Sequence, residues 1–155
     1  MSFSLPSSSF PPELADPIAQ LRAELVEINS SEQACMIDAV VSASQGQRLP
    51  VVQAVMAKCR QAAAAAAATA INTFRRECSE IGAQANSLAK AAIAAAANKI
   101  VSDFWIKSES YAAAFSSEKA ALLPARGPDK ITQEITNTYS DRAVSINRYF
   151  EELTH

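Results

Sequence analysis

Residues 61–74 read QAAAAAAATAINTF, and residues 90–100 read KAAIAAAANKI. Their alanine runs, Ala62–Ala68 and Ala91–Ala97, flank Gly82, the only glycine between residues 47 and 126, and no proline occurs from Val51 to Leu123. Alanine is the strongest helix former, whereas glycine and proline are the usual interruptions, so the whole stretch is helix-forming. If the chain reverses near Gly82, the midpoints of the two runs, residues 65 and 94, meet antiparallel. Alanine faces let two backbones approach closely, so the expected architecture is a tight helical hairpin. The competing geometry is one rod over residues 50–116, about 100 Å long, because a single glycine costs only about 1 kcal/mol inside a helix. Such a rod leaves its apolar stripe uncovered unless it dimerises, and the mirrored alanine runs favour the hairpin.

The flanking segments also carry helical periodicity. Asp16 as N-cap and Pro17 at the first position open a helix expected over 16–29, with Ile18, Leu21, Leu25 and Ile28 at three- and four-residue spacing. Asn29-Ser30 reads as a break. Ser30 followed by Gln33 has capping-box form, so a second helix is expected over 31–45 with Met36, Ile37, Val40 and Val41 facing inward. Gly46 and Leu49-Pro50 punctuate the chain before a third helix over 50–81, whose stripe is Val52, Val55, Cys59, Ala62, Ala66, Ala70, Phe74, Cys78 and Ile81. The fourth, over 86–116, carries Leu88, Ala92, Ala96, Ile100, Phe104, Tyr111 and Phe115. Beyond the linker around Pro124 and Pro128, a fifth helix over 129–153 carries Ile131, Ile135, Tyr139, Arg142, Ile146, Tyr149 and Leu153. That pattern is coiled-coil-like with a polar interruption at Arg142. No strand alternation or solenoid-length repeat is present. The prediction is all-α: an elongated bundle of about five helices built on a long antiparallel Ala-rich hairpin. It forms a single domain over 16–155, preceded by a flexible Ser/Pro-rich arm over 1–15.

Composition narrows the function classes. The chain has 155 residues, 19% of them charged, and a net charge of −2, which fits one soluble domain and lacks the basic excess of a dedicated polyanion binder. Cys35, Cys59 and Cys78 form no CxxC pair, and the single histidine, His155, ends the chain. Neither a structural zinc site nor a Cys/His or Ser/His/Asp arrangement is expected. Cys59 and Cys78 sit on one predicted helix about 28 Å apart and cannot bond to each other. The odd, scattered count reads as three reduced, buried thiols of structural role in a cytoplasmic or other reducing compartment. Met1 to Pro12 has no Lys or Arg and no apolar core, so it is not a classical signal peptide; its Ser-rich, uncharged composition also matches type III secretion leaders. The uncharged run Gln61–Thr73 is shorter than the roughly 20 residues that a membrane span needs.

No GxGxxG, P-loop, HExxH or EF-hand motif occurs, and Glu77 and Glu80 beside Arg76 read as a solvated helix face. The reading therefore assigns no catalytic residue, no cofactor and no metal. Lys58 and Arg76 share a helix face about 27 Å apart, and with Arg75 they are the candidate polyanion contacts. Trp105 and Phe150 lie off their stripes and Tyr149 on its own; these three aromatics are the candidate interface residues.

Ala15-Asp16-Pro17-Ile18, after a Ser/Pro-rich, Phe-containing start, resembles the opening of rod-shaped plant-virus coat proteins, which are helical and of similar length. That resemblance implies a nucleoprotein coat subunit; it spans under a fifth of the chain, and the alanine runs have no counterpart in it. The Ala-rich amphipathic middle is similar in composition to phasins, which implies a coat on a lipid or polymer surface. Elimination and a surplus of apolar pattern lead instead to a non-enzymatic interaction or assembly protein. Its expected partner is another protein or itself, as a homo-oligomer. A nucleic-acid coat, a surface coat and a secreted effector are the alternatives.

Overall fold

The computed structural model describes residues 10–44, 48–112 and 127–153, and within them the side chains of all but 43–44, 104–112 and 128. These residues form a 3₁₀ turn, Pro12–Leu14, and four helices: α1 (Ala15–Ser44), α2 (Leu49–Ala83), α3 (Ser87–Ala112) and α4 (Pro128–Leu153). No strand occurs among the described residues, so the fold is all-α. Helix α1 packs on both α2 and α4, and α2 packs on α3. Arg22 meets Asn147 and Glu151 while Asn29 meets Tyr139, so α1 and α4 run antiparallel. Cys35 bonds to Cys59, and the groove beside that bond is lined by earlier residues of α1 and later residues of α2, so these two are antiparallel as well. Gly82 lies against Ile93 and Arg75 shares a depression with Asn98, which makes α2 and α3 a third antiparallel pair. The topology is up-down-up-down.

Local chemistry sets the helix ends. Pro50 occupies the first turn of α2, where its missing N–H would have had no partner anyway. Asn86 caps α3, its Oδ1 accepting the Ala89 N–H at 2.9 Å. Gly127 takes φ +87°, open to glycine at no steric cost, and its carbonyl accepts the Ile131 N–H as α4 begins. Gly82, by contrast, is not the point of reversal. It sits buried in the last turn of α2, and the chain reverses over residues 84–86. A Cβ there would lie 3.7 Å from Ile93 Cγ2, an ordinary contact.

The hairpin exists, but its alanine runs do not face each other. Gly82 opposite Ile93 sets a register in which Ala94 lies beside the end of α2, roughly 24 Å along the axis from the level of Ala65. In the long all-alanine stretch Ala63 and Ala70 are buried while Ala62 and Ala66 are exposed.

Two apolar cores result. The hairpin-end core takes Leu14, Ile18, Leu21 and Leu25 of the N-terminal turn and α1, Phe74 and Cys78 of α2, Ile93 and Ile100 of α3, and Ile146, Phe150 and Leu153 of α4. The disulfide-end core takes Met36 and Val40 of α1, Val52, Met56 and Cys59 of α2, and Ile131, Ile135 and Tyr139 of α4. Between them, every participating helix changes character. On α1 the inward positions are Asn29 and Glu32, on α4 the interruption is Arg142, and on α2 the gap coincides with the alanine run.

That waist explains where the sequence reading departs from the structure. The two helices expected over 16–29 and 31–45 are one helix, α1. Asn29 does not break it, because its side chain is 2% exposed and Nδ2 donates to the Tyr139 carbonyl at 2.9 Å across the α1–α4 interface. The arm expected to reach residue 15 ends sooner, since Phe10 packs on the hairpin-end core and Leu14 is fully buried. Asp16 and Pro17 fall inside the first turn of α1, not at its cap. Val41, Val55 and Leu88, expected inward, are exposed. Residues 1–9 and 113–116 of the expected arm and fourth helix, with Phe115, lie outside the described residues.

Candidate functional site

Polar chemistry concentrates at the waist. Glu32, 4% exposed, accepts a hydrogen bond from the Tyr139 hydroxyl on one carboxylate oxygen and from Arg142 Nη1 at 3.2 Å on the other. The Arg142 guanidinium also lies 5.6 Å from the centroid of the Tyr139 ring, a cation–π distance. Burial pushes the Tyr139 hydroxyl far above its usual range; the bond to Glu32 and that carboxylate's charge push the same way, against Arg142 and Arg60. The phenol therefore holds its proton and acts as a donor, not as a base. Asn29 Oδ1 finds no hydrogen-bond donor among the described residues. One turn on from Glu32, Cys35 is joined to Cys59 with the two Cα atoms 5.8 Å apart. The expectation of three reduced thiols is thus corrected. Only Cys78 is free, and it is buried, with burial first and Glu77 second pushing its thiol to about 11. The cysteine count consequently no longer argues for a reducing compartment.

Beside the disulfide, α1 and α2 part to form a groove of about 680 Å³. Its α1 side carries Glu24, Glu27, Ile28 and Ser31; its α2 side is mainly alanine, with Ala62, Ala63, Ala66 and Ala70 beside Cys59 and Thr69. The volume falls in the range of a ligand or side-chain cluster site. The groove opens because alanine is too short to fill the space between two helix axes. Thr69 lines the groove towards one end, its hydroxyl donating back to the Ala65 carbonyl.

The sequence-selected residues do not converge here. Phe150, selected as an off-stripe interface candidate, is 1% exposed inside the hairpin-end core and is a core residue of the chain. The stripe of α4 steps from Ile146 to Phe150, which leaves Tyr149 half-buried with its hydroxyl donating to Asp103 Oδ2 at 2.7 Å. Burial and that hydrogen bond push the Tyr149 hydroxyl well up. Trp105 belongs to α3, and its side chain lies outside the described residues. Lys58, Arg75 and Arg76 are exposed on α2. The groove and the buried polar set were not selected from sequence, although Arg142 as a polar interruption of an apolar stripe was the available signal.

Among the described residues no group of three His, Cys, Asp or Glu side chains could hold a metal ion. No described helix is long and apolar enough to cross a membrane. The chain matches no protein-family model, no curated protein sequence and no solved structure.

Proposed function

We propose that the chain is a non-enzymatic helical assembly protein whose partner is a further copy of itself. The observation that carries this reading is the alanine-walled groove between α1 and α2, a small-residue surface left open by the described residues along the middle of α2. Helix-in-groove contact is a recurrent mode of recognition, and alanine walls allow close backbone approach. The titratable groups nearby favour a structural role: Glu32, Tyr139 and Arg142 are engaged with one another, and the phenol retains its proton. The full chain, measured by light scattering over a concentration series, should gain mass as concentration rises. A mass equal to one chain throughout the millimolar range overturns the assembly reading.

A further inference from the structure

We propose that the α1–α2 groove receives the outward ridge of α3 from a second copy of this chain, in a head-to-tail contact. This rests on the assembly reading and specifies its geometry. The ridge is formed by Leu88, Ala92, Ala95 and Lys99, spaced by four, three and four residues and all exposed; Leu88, at 84%, is the most exposed of the large apolar residues described. Such spacing places the four on one helix face. A leucine projecting that far from a helix otherwise lined with alanine is a knob without a hole among the described residues.

The groove matches this ridge in length, bulk and charge. From Glu24 to Cys35 on α1, and from Cys59 to Ala70 on α2, the groove walls span eleven residue steps, roughly 16 Å. Leu88 to Lys99 spans the same eleven steps and the same roughly 16 Å. Every charged residue lining the groove is a glutamate. Glu32 is neutralised by Arg142 within the chain, which leaves Glu24 and Glu27 at the lip. Between Ser87 and Ser102 the only charged residues are Lys90 and Lys99; Lys90 stands about 140–180° round the helix from the ridge, with its stem beside Gly82, so Lys99 alone is the ridge's charge. Lys99 bridges to Asp103 at 2.9 Å with its side chain more than half exposed. Lys99, at one end of an otherwise uncharged ridge, is complementary to the acidic lip, which selects the orientation.

The two surfaces also lie on opposite sides of α2. Ala62, Ala66 and Thr69 line the groove, while Ile71 and Arg75 face α3; at 100° per residue the sets point about 120–180° apart. One chain can therefore offer its groove to one neighbour and its ridge to another. A contact between unlike surfaces repeats into a ring or a filament, not a two-fold dimer.

The test uses the full chain and two charge-reversed variants, Glu24→Lys/Glu27→Lys and Lys99→Glu, all sites being exposed or half-exposed so that folding, checked by helical circular dichroism, is kept. Wild-type mass should grow past two chains and fall with added salt. Each variant alone should associate at least tenfold more weakly, and mixing the two should restore assembly, because each then meets a complementary surface. Ala66→Arg, which fills the groove without touching the ridge, should abolish association alone and still cap wild-type assemblies through its intact α3. Assembly that persists unchanged in all three variants overturns this contact while leaving self-assembly standing. A mass that stops at two chains overturns the head-to-tail geometry, and failure of the mixture to recover overturns the pairing of lip with ridge. A wild type that stays a single chain at every concentration overturns the assembly reading together with this one.

Discussion

The two cores of this bundle are held by different means. At the hairpin end, four helices bury Phe74 and Phe150 with a ring of leucines and isoleucines, and side-chain bulk alone fills the space. At the disulfide end the largest buried side chain is Tyr139, whose hydroxyl is engaged by Glu32, and a covalent bond crosses from α1 to α2. Between the two, α2 offers only alanine. Apolar burial stabilises by roughly 25 cal/mol per Å², and an alanine side chain has little area to contribute. A long alanine run therefore keeps a helix continuous while dividing the core beside it. The joint is then held by directional contacts: a buried ion pair, a phenol hydrogen bond and a crosslink.

The sharpest way to break that comparison is to cut one contact in the waist. Glu32→Ala leaves the Arg142 charge without its carboxylate and the Tyr139 hydroxyl without its acceptor, and should destabilise by about 3–5 kcal/mol in urea denaturation. Phe150→Ala should cost about the same, by cavity formation in the opposite core, although one residue is polar and the other aromatic. Replacing the set together, Glu32→Leu with Tyr139→Phe and Arg142→Met, should return stability to wild type or above, since buried ion pairs are often matched by apolar residues of similar volume. If the triple variant is as weak as Glu32→Ala, the polar waist contributes stability and not merely register.

Reduction of Cys35–Cys59 reopens a loop with a sequence separation of 24 and should cost about 3–4 kcal/mol by the chain-entropy estimate. Hydrogen exchange should show where. Amides of Met36, Val52 and Ile131 should lose protection while those of Phe74, Ile93 and Ile100 keep it; uniform loss would mean that the two cores open as one unit.

Alkaline pH probes the hairpin end. Cys78 ionises in the unfolded chain near its ordinary 9.0 but only at about 11 when folded, so the unfolded state loses its proton first and stability falls between those values. Cys78→Ala should flatten that part of the profile, and an unchanged slope would place the titration elsewhere. The smallest effect is a gain. Gly82→Ala should stabilise by about 0.5–1 kcal/mol, because the new methyl meets Ile93 at an ordinary distance and the unfolded chain loses freedom. A loss would show that α2 and α3 cannot yield even there.

Helices α2 and α4 were legible because Phe74, Cys78, Ile131, Ile135 and Ile146 stand at helical spacing among polar residues, and Pro50 and Pro128 mark their starts. The face of α2 between Val55 and Ala66 was not, since a run of identical side chains carries no contrast between inside and outside. Asn29-Ser30 misled for a different reason. These residue types cap or break helices when they bond locally, but Asn29 bonds across to α4, a partner invisible to local spacing. The same holds for Cys35 and Cys59, whose pairing depends on the register of two helices and on no motif. On α4, Phe150 took the buried position expected of Tyr149 because the stripe lengthens one step by a single residue.

The bond between Cys35 and Cys59 also makes the intervening chain a covalent ring. One protease cut anywhere from residue 36 to residue 58 would sever the backbone and release nothing. The nicked chain would migrate as a single species in a non-reducing gel and as two after thiol treatment. In that state α1 and α2 would stay tethered at the waist with their connection gone, so a nicked molecule can still refold as a unimolecular event. Damage at this end of the bundle is repairable by folding, while a cut between α2 and α3 has no such tether.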